Sequence, residues 1–290
     1  MSLKKRLASE EFVILAEMHT PKGVNISELV NNARRIKGRI DAVVIPDMDN
    51  GVMRMSALAG GVLMHQQGIE AVINVYGRDR NRMALQGDIL AAHVLGIQNL
   101  IVVKGEDMAN SDHKDAQIVN DLDEIQLLEV IGKLRDGTDM AGFDLSGAPD
   151  FTVGCTLGKF ADEASLSQAL AETQKKVAAG AQFVVTPPVF DTAYFASAAE
   201  QIKSLNIPII ATVFLIKSVG IARYMSVAEP ECRISEDLIK RIRKSSDREN
   251  ECLKIAGESI NALKDLVDGV LVVTLGWEHR LPTILNHAQL

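Results

Sequence analysis

The chain has 290 residues, 47% hydrophobic, 24% charged and 4% aromatic, with a net charge of −7. That is ample apolar material for a large core, in one (β/α) barrel or in two smaller domains. The acidic balance argues against nucleic acid or an anionic membrane as a general partner, and the scarce aromatics argue against a base-stacking platform. Cys155, Cys232 and Cys252 are odd in number and widely spaced. They point to a reducing cytoplasm, with no disulfide framework and no zinc finger. The basic N-terminal segment lacks the apolar run of a signal peptide, and no apolar stretch is long enough to span a bilayer.

In chain order, residues 12–16 form an apolar strand that ends at Glu17-Met-His-Thr-Pro21. A helix capped by Asn25 or Ser27 runs to about Ile36. Residues 41–46 make a second strand, followed by Asp47-Met-Asp-Asn-Gly51 and a helix over 55–66. Residues 70–76 are a third strand. The charged turn Arg78-Asp79-Arg80-Asn81 then leads into a helix from 83 to 95, closed by Gly96. Strand four, 100–103, ends in Lys104-Gly105-Glu106. A polar loop, a helix over 121–134 and strand five at 151–155 come next. A helix over 163–178 and strand six at 182–186 follow, the strand stopping at Pro187-Pro188. A helix over 193–205, strand seven at 207–213, helices near 235–243 and 249–266, and strand eight at 269–274 lead to a short last helix.

The strands are apolar at nearly every position, as in a parallel sheet covered on both faces. Eight strand–helix units in about 270 residues match the size of a (β/α)8 TIM barrel. Periodicity does not show closure, so a doubly wound open sheet also fits. No linker or repeat divides the chain, which reads as one domain over 1–290.

In a barrel the functional face is at the carboxyl ends of the strands. Those ends carry Glu17, Asp47, Asn74 with Tyr76, Lys104 with Glu106, Cys155 with Thr156, Thr186-Pro-Pro188, Lys217-Ser218 and the stretch 274–280. No histidine pairing has metal-ligand spacing, and there is no nucleophile elbow, P-loop or dinucleotide fingerprint. Glu17 fits either a solvated strand end or a buried acid, whose pKa would rise to suit proton donation near neutrality. Lys104 and Glu106 fit either a local ion pair or a ligand contact, with Gly105 allowing close backbone approach. The turn 78–81 fits either a solvated loop with capping residues or a ligand-facing segment.

At these residues the sequence resembles the methylenetetrahydrofolate reductase family, in particular the branch with an R-D-R-N turn. The similarity rests on Glu17-Met-His-Thr-Pro21, on Asp47 through Arg54-Met55-Ser56, and on Arg78-Asp79-Arg80-Asn81 with Leu85-Gln86-Gly87-Asp88. Lys104-Gly105-Glu106, Lys176-Val-Ala-Ala-Gly180, Thr186-Pro-Pro-Val-Phe190-Asp191 and Lys217-Ser218 extend it over nearly the whole chain. The resemblance implies a TIM barrel with FAD in its mouth, FMN being the alternative. It implies reduction of 5,10-methylenetetrahydrofolate, or a related pterin, to the 5-methyl form by hydride from flavin N5, a step of one-carbon metabolism and methionine biosynthesis. NAD(P)H would recharge the flavin. By the same resemblance Glu17 is the general acid and Glu106 the carboxylate near flavin and pterin. Asn74, Lys104, Gly105, Gly154 and Lys176 fall on flavin-contacting positions, and Tyr76, at the strand end of Asn74, is grouped with them. A homo-oligomer in the cytoplasm is also implied. With no residues after Leu290, the family's additional domains are not expected.

The sequence departs from the best-known members at several positions. Asn74 and Phe160 stand where they have histidines, Ala169 for an aspartate, Pro187 for a glutamine that touches folate and nicotinamide, Trp277 for an arginine, and Glu106 for an aspartate. These departures keep two rival expectations open. One is a reductase whose flavin is reduced by a partner protein. The other is a pterin- or corrinoid-associated methyl-transfer subunit.

Overall fold

A computed structural model describes residues 2–9 and 11–290. Eight parallel strands pair in sequence order and close into a barrel: β1 Val13–Glu17, β2 Ala42–Ile45, β3 Ala71–Val75, β4 Asn99–Val102, β5 Thr152–Thr156, β6 Phe183–Pro188, β7 Ile209–Phe214 and β8 Gly269–Val273. Closure is made by β1 against β8, with Leu15 opposite Leu271. The architecture is therefore the (β/α)8 barrel, and the open-sheet alternative is excluded.

The helices are α1 Leu3–Leu7, α2 Ser27–Ile36, α3 Ala57–Gln66, α4 Arg82–Val94, α5 Glu124–Arg135, α6 Glu163–Ala178, α7 Thr192–Ile202, α8 Val219–Ala228, α9 Glu236–Lys244, α10 Arg248–Leu263 and α11 Leu281–His287. Local chemistry explains several of their starts. Asp123 with Gln126 and Asp162 with Ser165 form reciprocal capping boxes at α5 and α6. Such pairs satisfy amide donors that a helix start leaves free.

Two apolar clusters divide the core. The larger fills the layer between strands and helices. The smaller fills the barrel interior with Val13, Leu15, Val44, Val72, Ile101, Phe183, Ile210 and Leu271. Leu3 of α1 joins the interior cluster and is 1% exposed. With alternating side chains, Val13 and Leu15 facing inward put Glu17 inward too, as Val72 does Asn74.

Three local expectations need correction. α1 and α8 were not anticipated, and β6 does not stop at Pro187. It runs on to Pro188 through a register shift after Val185. A bulge of this kind accommodates residues that cannot donate to the ladder. No helix of the described residues is long and apolar enough to cross a membrane.

Candidate active site

Glu17 is the last residue of β1, and its side chain is 16% exposed. Its pKa is pushed up to about 8, chiefly by burial and further by the carboxylates of Asp49 and Glu278. His19 Nδ1 lies 3.8 Å from Glu17 Oε1. Burial, helped by the Arg54 cation, lowers the His19 pKa to about 4. At neutral pH the contact is thus between a protonated acid and a neutral imidazole. Burial in low dielectric disfavours the charged form of each group.

The loop after β2 is built to hold its shape. Asp47 accepts from the Ala57 amide at 2.7 Å and from Arg80 at 2.6 Å, tying the loop to α3 and to the charged turn. Met48 has a φ of 65°, a left-handed conformation uncommon for a residue with a side chain. Asp49 comes next, its pKa raised mainly by burial and also by Asp47 and Glu106, against the Asn74 hydrogen bond. Asn74 Nδ2 donates to Asp49 Oδ2 at 3.2 Å.

Arg78 fastens the loops to one another. It is 5% exposed, and it donates to the carbonyls of Met48 at 2.8 Å, Asp49 at 3.2 Å and Glu106 at 2.9 Å. Its guanidinium also engages Asp79 and lies 4.9 Å from the Tyr76 ring centroid. The Tyr76 hydroxyl donates within hydrogen-bond reach of the Asp47 carbonyl and Asp79 Oδ2. Tyr76 is 1% exposed, so its contacts are to the loop scaffold. The planar fork of arginine suits several fixed carbonyls at once. The turn 78–81 is therefore not an ordinary solvated loop: Arg78 is buried in it.

After β4, the Glu106 amide donates to the Asp49 carbonyl at 2.9 Å. A Cβ on Gly105 would lie 3.0 Å from Arg78 Cβ and 3.1 Å from Tyr76 Cδ2, so only glycine packs comfortably there. Lys104, Gly105 and Glu106 line a groove of about 700 Å³ with Gly77, Asn120, Leu122 and Glu124. A second cavity, about 340 Å³, opens beside β1 and is lined by His19, Asn50, Arg54 and Glu278 among others.

Glu17, Asn74 and Glu106 thus gather at one end of the barrel, with Asp49 between them and Tyr76 and Gly105 in the supporting wall. Lys176 stands on the β5 side. Its ammonium donates to Glu124 at 2.5 Å and to the Thr156 carbonyl at 3.0 Å. Gly154 lies deeper. A Cβ there would fall 2.3 Å from the Phe183 ring, so the missing side chain makes room for the phenylalanine that fills the barrel. The cysteines are buried and unpaired; burial pushes Cys155 up to about 12 and Cys232 and Cys252 to about 11. Such thiols make poor nucleophiles. Among the described residues no group of three or more His, Cys, Asp or Glu is placed to hold a metal ion.

A family model described as methylenetetrahydrofolate reductase matches residues 2–289. The chain belongs to the methylenetetrahydrofolate reductase family. No curated protein matches it. Among solved structures, one similar to this barrel is an uncharacterized protein from Clostridium thermocellum that binds two copies of 5-methyl-5,6,7,8-tetrahydrofolic acid. It shares 14% identity at a TM-score of 0.66, with 99% of this chain and 98% of that one covered. EDTA monooxygenase from Chelativorans sp. BNC1 shares 10% identity at a TM-score of 0.56, covering 96% and 94%. A phosphonopyruvate hydrolase shares 11% at 0.52, covering 100% and 85%. At these identities the structural likeness is one of fold.

Within the family frame, the groove of about 700 Å³ suits a flavin in size. Lys104 is the cation at its rim. Two departures from the family pattern prove to be neighbours: Phe160 and Pro187 line one small cleft with Phe190 and Tyr194, and with the charged Asp191, Glu231 and Arg233. Sequence reasoning did not single out Asp49, or Glu278 within the strand-end stretch 274–280, and it missed the buried role of Arg78. The acidic string Asp47-Met-Asp49 was a signal for the first, but its inward aim depends on the turn at Met48. Nothing local marks Glu278, which is 7% exposed and accepts from the Gly276 amide at 2.8 Å.

Proposed function

We propose that the chain is a flavin-dependent reductase of 5,10-methylenetetrahydrofolate, forming 5-methyltetrahydrofolate, with Glu17 as general acid. The observation that carries this reading is the buried Glu17 carboxyl, protonated at neutral pH, at the mouth of a barrel of this family. Opening the folate's five-membered ring requires a proton on the leaving nitrogen. An acid with a pKa near the working pH is suited to give it. When bound, the flavin supplies the hydride that no side chain can.

The residues of this chain then divide the remaining work. Glu17 Oε donates its proton to the leaving nitrogen. Neutral His19 stands beside it without withdrawing that proton. Lys104, Gly105 and Glu106 would hold the flavin at the groove, with Asn74 beside them at the barrel mouth, and Lys104 would offer its phosphate a cation. Tyr76 and Gly105 shape the wall behind it, Gly154 acts from below through Phe183, and Lys176 fixes the β5 side through Glu124. Glu106 would offer its carboxylate to the flavin and the pterin.

Supporting the folate part of this reading, the Clostridium thermocellum neighbour is described as binding 5-methyl-5,6,7,8-tetrahydrofolic acid. The test is direct: purified protein should be yellow, release FAD or FMN on denaturation, and bleach with methyltetrahydrofolate. Protein that takes up neither flavin removes the reductase reading. If it still bound methyltetrahydrofolate, the methyl-transfer alternative would take its place.

A second reading concerns the electron source. Pro187 stands in its cleft where the family pattern has a glutamine, and it offers no side-chain donor or acceptor to a nicotinamide amide. A partner protein would then reduce the flavin. Stopped-flow mixing decides it, since rapid bleaching by NADH or NADPH restores the nicotinamide as donor.

A further inference from the structure

Two buried oxygens without hydrogen-bond partners belong to a single contact. Asn74 Nδ2 donates to Asp49 Oδ2 at 3.2 Å, yet Asn74 Oδ1 and Asp49 Oδ1 are both buried and unpartnered among the described residues. Asn74 is 6% exposed, so water does not readily supply what is missing. An ionised carboxylate offers only acceptors, and it leaves the facing amide oxygen without a donor. Turning the amide over would set two acceptors against each other. One proton removes both deficits. Placed on Asp49 Oδ1, it is donated to Asn74 Oδ1 while the amide N–H is donated to Oδ2, closing a two-bond acid–amide ring. Buried polar groups are rarely left unsatisfied, so a single change that satisfies two has physical weight.

The surroundings favour the proton. Asp49 is buried, and the carboxylates of Asp47, from its own loop, and of Glu106, from the end of β4, face it. The cation packed there is Arg78, and its donors go to the carbonyls of Met48, Asp49 and Glu106 and to Asp79. The backbone cannot swing the carboxyl out to solvent easily, because both carbonyls around it are held by Arg78 and Glu106 donates to one of them.

We propose that Asp49 is a positioning residue that works as a neutral acid, its proton donated to Asn74 Oδ1. The mouth, acidic by count, then carries little charge where Glu17 and Asp49 stand, and an anionic heterocycle meets no carboxylate repulsion from either. The inference goes beyond the proposed reaction and does not depend on its electron source.

Infrared spectroscopy at neutral pH tests it by counting protonated carboxyl groups through their carbonyl stretch. Wild-type protein should show two, Glu17→Gln one, Asp49→Asn one, and the double variant none. Binding supplies the second readout. Asp49→Ala should weaken 5-methyltetrahydrofolate binding roughly ten-fold. Asp49→Asn should recover most of that loss, because its amide repeats the hydrogen bonds of the acid. An ionised Asp49 predicts instead that Asn fails as Ala does. A Glu17→Gln protein with no protonated carboxyl left overturns the proposal, and unchanged binding in Asp49→Ala overturns the positioning role. Wild-type protein that bound no folate would sink the reductase reading while leaving the band count to decide the state of Asp49.

Discussion

Replacing Glu17 by Gln isolates what it costs the fold to bury this acid. The carboxyl holds its proton more tightly in the folded protein than in the unfolded chain. Stability therefore falls as pH rises from the ordinary value of 4.5 to about 8, and levels off above that. At about 1.4 kcal/mol per pH unit, that interval amounts to a ceiling of ~5 kcal/mol. Gln cannot ionise, so the variant escapes the fall. Its advantage over wild type should be near zero at about pH 4.5 and grow steadily through neutrality. Urea unfolding of ligand-free protein at about pH 5, 7 and 8.5 measures it, with the slopes compared for two-state behaviour. The same variant should keep flavin and lose folate reduction. A stability difference that stays constant across this range would refute the burial argument, and with it the case for Glu17 as an acid at neutral pH.

Other expectations follow from single contacts. Arg78→Lys keeps the charge but loses the fork that reaches three carbonyls; a loss of about 2–4 kcal/mol in chemical denaturation is expected, together with weaker ligand binding. Retention of full stability would show that the loops after β2 and β4 hold themselves. Gly154→Ala should cost about 1–3 kcal/mol by overpacking against Phe183. Adding Phe183→Leu should recover part of it, and additive losses in the double variant would disprove direct conflict. Lys104→Ala should weaken FAD or FMN binding roughly ten-fold at low salt, with the effect shrinking as salt rises. Unchanged flavin affinity by equilibrium titration would place the phosphate elsewhere.

Much of the architecture was legible because its signals are local. The apolar runs that became β1 to β8, and the capping residues Asp123 and Asp162, act within a few positions of themselves. α8 escaped notice for an equally physical reason. Tyr224 and Val227 are 73% and 82% exposed, while the residue it buries fully is Ala222. Its apolar residues thus fall on both faces, Val219, Ala222 and Met225 inward and Tyr224 and Val227 outward, which blurs the helical period. α1 is only five residues long, and its worth lies in Leu3 reaching the barrel interior. Of the candidate site, Glu17 and Lys104-Gly105-Glu106 were readable as polar residues just after apolar strands. Asp49 was not, because its burial comes from neighbours on several strands.

What the sequence determined alone was the alternation of strand and helix, and the set of polar residues at the strand ends. These follow from side-chain periodicity and capping, which each segment carries within itself. What only the tertiary structure decided was closure and protonation. Closure rests on β1 meeting β8, through residues such as Leu15 and Leu271 at opposite ends of the chain. Protonation rests on Glu17, Asp49 and Glu278 sharing one buried mouth. Both arise from contacts between distant segments, and no local stretch of sequence encodes which distant groups will surround it.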